Sequence, residues 1–68
     1  MIHRKIDNCI EEEKTKLPRD YSISYNIENC IFEVAQSMHD TGDDWPTIEM
    51  FIKSQVLTFA KHWESDTN

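Results

Sequence analysis

The chain reads as an all-α protein, a small three-helix bundle with helices over about residues 2–16, 26–40 and 45–64. Three observations predict this. Apolar residues recur three and four apart in three separate stretches, the period of a helix with one buried face. One glycine and two prolines are the main breakers, and they fall where those stretches begin or end. Finally, 38% hydrophobic and 10% aromatic content is too apolar for a disordered acidic tail. Sixty-eight residues make one helical domain, 1–68, at the small end of what folds unaided. Ordering costs roughly 1.5 kcal/mol per residue, so very good helix packing, a disulfide, a metal or a partner is needed to offset it.

In the first helix Ile2, Ile6, Cys9, Ile10 and Glu13 share one side. Pro18 turns Leu17 away from helical geometry and stops the run. The opposite face, with His3, Asp7, Glu11, Glu12 and Lys14, is expected in solvent. Residues 18–24 connect onward. There Tyr21, Ile23, Tyr25 and Ile27 alternate with polar residues, so a short strand at 21–25 is the alternative to an irregular connection.

The second stripe is Ile27, Cys30, Ile31, Val34 and Met38. It ends near His39-Asp40-Thr41-Gly42, where Gly42 suits the left-handed cap position. Asp43 and Asp44 then stand ready to cap the third helix, with Pro46 in its first turn, where a missing N–H does no harm. The third stripe is Ile48, Phe51, Ile52, Val56, Phe59 and Trp63, within roughly 140° of arc, the width of a core-facing surface.

Apolar residues also lie off these stripes. Tyr25, Phe32 and His39 stand seven apart on the second helix, and Met50 and Leu57 seven apart on the third. A bundle this small does not need them inside, unless the first helix packs broadly enough to cover one line. Read as an interface, they are residue types favoured at interface centres. On that reading Phe32 or Leu57 changed to a charged residue abolishes association without unfolding the chain. Trp45, beside Pro46 and two aspartates, either closes the start of the third helix or stands out as an aromatic anchor.

Charge is unevenly spread. Residues 1–20 balance five bases against five acids, while residues 21–68 hold Lys53 and Lys61 against eight acids, among them Glu28, Glu33, Asp43 and Asp44. The net charge of −6 therefore belongs to the last 48 residues. Such a field repels nucleic acid and anionic membrane and attracts basic protein surfaces. The expected partner is a larger protein with a basic surface, or a second copy, with no direct nucleic acid and no membrane. The expected partner-binding residues are Tyr25, Phe32, His39, Asp43, Asp44, Trp45, Met50, Leu57, Glu28 and Glu33.

Catalysis, a cofactor and a metal are not expected. In His39-Asp40-Thr41-Gly42-Asp43-Asp44 the residue six after the glycine is Ile48, where a calcium loop needs glutamate. His3, His39 and His62 share no ligand spacing. Cys9 and Cys30 both fall on apolar stripes and are expected as buried, reduced, inert thiols, with a bridge between them as the alternative. No basic-then-apolar signal segment and no run of roughly 18 apolar residues is present, so the expected setting is the cytoplasm.

The reading is a small acidic interaction module, a regulator or inhibitor. In its sharper form carboxylates stand where a nucleic-acid-binding target expects phosphates. By analogy of size and charge, this is the style of an anti-defence factor from a phage or other mobile element. A helical assembly subunit is a related reading. A different one starts from Ser22–Tyr25 as a strand, followed by helices 26–39 and 46–64. With the turn Thr41-Gly42-Asp43-Asp44-Trp45-Pro46-Thr47-Ile48-Glu49, that order resembles the ribbon-helix-helix family of dimeric DNA-binding transcriptional regulators. The resemblance implies a strand that reads bases, yet Ser22-Ile23-Ser24-Tyr25 holds no Arg, Lys or Gln to do so.

Overall fold

The computed structural model describes residues 2–18 and 21–67, with side chains through residue 60. Three helices, α1 (Ile2–Thr15), α2 (Tyr25–Asp40) and α3 (Trp45–Thr67), pack each against the other two. The expected three-helix bundle is the fold. Among the described residues no helix is long and apolar enough to cross a membrane.

α1 buries Ile6, Cys9 and Ile10, with Ile2 and Leu17 partly covered. Its end tightens, as Lys16 N and Leu17 N donate to the carbonyls three residues back, at 3.2 Å each. Residues 21–24 form no strand; the short strand at 21–25 is replaced by an irregular connection and an early helix start. Ser24, in extended backbone, accepts from Ile27 N at 3.3 Å and caps α2, so Tyr25 is already helical. The Tyr21/Ile23 alternation serves burial within this chain, because Ile23 inserts into the core and Tyr21 packs against it.

α2 ends in a Schellman motif. Asp43 N donates to Met38 O and Gly42 N to His39 O, both at 3.0 Å, with Gly42 at φ +100°. Asp44 caps α3: its Oδ1 accepts from Thr47 N at 3.3 Å and Thr47 Oγ1 at 2.6 Å. Those two bonds hold its carboxyl below the usual aspartate range. The stability linked to this cap is present at neutral pH and is lost as pH falls through the depressed value.

Where the three helices meet, Ile6, Ile10, Ile31, Ile48, Ile52 and Val56 close the core with Ala35 and Ala60. The alanines were not among the expected core residues. Each follows a stripe residue by four, after Ile31 and Val56, and a methyl group at a buried position lets the neighbouring backbone come close. Trp63, expected on the α3 stripe, and His62 lie outside the residues with described side chains.

The α2 stripe is corrected. Ile27, Ile31 and Met38 face inward, but Cys30 and Val34 are exposed, while Ala35 is fully buried and Phe32 partly so. The buried arc is turned by about one residue position toward Phe32. α1 covers that flank of α2, while α3 packs on the other and leaves Cys30 and Val34 at the surface.

Candidate functional site

Two seams flank α2, and they differ in chemistry. The α1/α2 seam opens into a groove of ≈ 600 Å³ lined by Asp7, Asn8, Glu11, Tyr25, Glu28, Asn29 and Phe32, with Ile10 at its floor. Lys14 crosses the seam from α1, lying 3.0 Å from Glu28 and 3.3 Å from Glu11. The bond to Glu28, more than that to Glu11, raises the Lys14 pKa above its ordinary value. Lys14 was expected on a solvated face; half-buried, it acts as a strut between two helices. Nearby, the His3 ring stacks obliquely on Phe32, with centroids 5.3 Å apart at 44°.

The α2/α3 seam is shallow and apolar. Cys30, Ile31 and Val34 from α2 meet Phe51, Gln55 and Phe59 from α3 around a hollow of ≈ 140 Å³. Beyond it, α3 presents Ser54, Thr58, Leu57 and Met50 outward. From Met50 to Ala60 the helix has one charged residue, Lys53. Lys53 lies 3.8 Å from Glu49, and the charges of both are felt at Cys9 on α1.

These seams distribute the expected partner-binding residues over separate faces. Tyr25 is 75% exposed at the lip of the α1/α2 groove, whereas Phe32 is half-buried in its wall. Covering one line by α1, the alternative to an interface, is what happens at Phe32. Met50 (73% exposed) and Leu57 (49%) stand on the outer face of α3, opposite Ile48 and Ile52 in the helical turn, and do not join Tyr25 and Phe32.

Among the acids, Glu28 is half-buried in its ion pair and Asp44 is engaged in capping. Glu33 and Asp43 are exposed. At the end of α2 the His39 imidazole Nδ1 lies 3.7 Å from Asp40, whose Oδ1 accepts a hydrogen bond from Gln36 Nε2 at 3.0 Å.

Trp45 is not a free anchor. It is partly buried against the core, with Lys5 Nζ 4.8 Å from its ring centroid, which ties the start of α3 to α1.

Both thiols are free. Burial, followed by the nearby Glu49 and Glu13 carboxylates, pushes the Cys9 pKa up and keeps that sulfur protonated. Cys30, expected inside, is on the surface because the α2 face is rotated. Among the described residues, no three His, Cys, Asp or Glu side chains come together in a geometry that would hold a metal ion.

Sequence reasoning missed Asp7, Asn8, Glu11 and Asn29 as groove residues. The signal was the spacing of Asp7 and Glu11, four apart and in phase with Lys14, but their meaning depends on which flank of α2 the first helix takes. Set against known protein families, curated proteins and solved structures, the chain matches none of them.

Proposed function

We propose that this chain is a small acidic protein-binding module that docks on a basic surface of a larger protein. The observation that supports this best is the α1/α2 groove. It combines the carboxylates of Asp7, Glu11 and Glu28 with the amides of Asn8 and Asn29, beside the open ring of Tyr25. An arginine or lysine side chain from a partner fits such a lining, since carboxylates pair with its charge and an aromatic face attracts it. One base, Lys14, is already inside the seam, so the lining keeps a net negative charge. The exposed Glu33 and Asp43, with the chain's net charge of −6, add a long-range field that speeds encounter with a basic partner.

The finer form of the proposal is inhibition. A module that occupies the basic surface of a nucleic-acid-binding protein displaces phosphates and acts as a stoichiometric regulator. An anti-defence role for a mobile element is one setting in which such a device serves.

The test is capture of binding proteins from the source cells with the wild-type chain and with a Tyr25→Ala/Asp7→Asn variant. Association of each purified candidate is then measured across salt concentrations. The expected target carries a basic surface, is lost with the double variant, and associates more slowly as salt rises. Equal retention by both chains, or association indifferent to salt, overturns the reading.

A further inference from the structure

We infer that the α2/α3 face binds a second copy of this chain, leaving the α1/α2 groove free. Four exposed residues on α2, Asn26, Cys30, Val34 and Ser37, follow one another at helical spacing without a charge. Opposite them α3 offers Phe51, Ser54, Gln55, Thr58 and Phe59, again without a charge. Glu33 marks the border of this surface on α2. In a chain with 29% charged residues, a face two helices wide with no charge among the described residues is a departure that needs an explanation.

Charge decides between occupants. A basic partner has nothing to read on a face without carboxylates, and the acids that would attract one lie elsewhere. A second copy makes the opposite demand. In a two-fold interface each patch meets itself, so an acid near the axis would face the same acid and repel it. Two chains of net charge −6 repel each other least where carboxylates are sparse, and among the described residues this face carries none. The half-exposed Val34 and the flanks of Phe51 and Phe59 supply apolar area to bury.

The area limits the strength. The bundle is 18 Å across, and a face of about four helical turns then offers on the order of 400 Å² per copy, near half of a standard interface. The dimer therefore dissociates on dilution.

Sedimentation equilibrium under reducing conditions tests this, over a concentration series and at low and high salt. The wild-type mass is expected to climb from 8.1 kDa toward twice that value. Salt should strengthen the association, because screening relieves the repulsion between like-charged copies. Thr58→Glu and Val34→Glu should each weaken it at least tenfold, whereas Asn8→Glu in the other seam should not. Thr58 is exposed, so its variant keeps the fold, which circular dichroism verifies; it carries the test even where Val34→Glu destabilises. A mass fixed at 8.1 kDa up to about 1 mM, the weak end of specific association, overturns the inference. So does a dimer that salt weakens, or one that survives Thr58→Glu.

Discussion

α2 contributes to two seams, and comparing them explains most of this molecule. Toward α1 it offers Glu28 and Phe32, which meet Lys14 and His3 in an ion pair and a ring contact. Toward α3 it offers Cys30 and Val34, which meet Phe51, Gln55 and Phe59 without charge and stay half in solvent. The polar seam is bridged by its own cross-helix pairs and still opens into a groove beside them. The apolar seam holds only a small hollow but leaves Cys30 and Val34 at the surface. Apolar character alone therefore does not mark what is buried here: Ala35 is fully covered while Val34, its neighbour, is 46% exposed.

The largest expected effect falls where the two seams share a core. Ile52→Ala removes a fully buried side chain that both depend on, and should cost about 3 kcal/mol. In a domain of this size that removes most of the folding free energy, and urea unfolding should show both seams lost in one transition. A variant that lost only the α2/α3 contacts would mean the seams fold separately.

The sharpest comparison is between neighbours on α2. Phe32→Ala should cost about 2 kcal/mol, since half of a large ring leaves the α1 contact. Val34→Ala should cost under about 0.5 kcal/mol, because its side chain is already half in water. A charged residue at position 32 is then expected to melt the protein, contrary to the sequence-based expectation that it spares the fold. Thermal melts of the two alanine variants decide it, and equal losses would place the rotated face in error.

Gly42→Ala should cost about 1 kcal/mol by forcing an alanine into left-handed backbone, with no steric term, as nothing lies within 4 Å of the added carbon. The effect should be the same whichever seam is weakened beforehand, since the cap serves α2 as a whole. Double variants with Phe32→Ala or Val34→Ala check that additivity.

The effect most sensitive to solution conditions is electrostatic. Glu28→Gln should cost at most about 1 kcal/mol, and the cost should shrink with salt. The Lys14 pKa is raised in the folded protein, so its contribution is complete below the ordinary lysine value and disappears as pH rises through the raised one. Alkaline melts of the wild type and Glu28→Gln should therefore converge. A difference that persists at high pH would give Glu28 a role other than pairing.

Much of the architecture was legible beforehand. The spacing of Ile2, Ile6 and Ile10, the stop at Pro18, the Gly42 cap and the Ile48–Ile52–Val56 line are local, and local rules place them. Helix ends differed from expectation by a residue at Thr15 and Tyr25, and by three at the end of α3. The candidate site was less legible. Tyr25, Phe32 and Glu28, expected among the partner-binding residues, line one groove, but the α1 residues that complete it were not foreseen.

Period, caps and breakers determined three helices, their order and which stripe of each is apolar, because those are properties of residues a few positions apart. Which flank of α2 receives α1 was decided only when the helices met. That choice depends on Lys14 reaching Glu28, on His3 reaching Phe32, and on Ala35 being small enough for close approach, contacts that no single stretch of chain contains. From it follow the burial of Phe32, the exposure of Cys30 and the division of the surface into one acidic groove and one uncharged face.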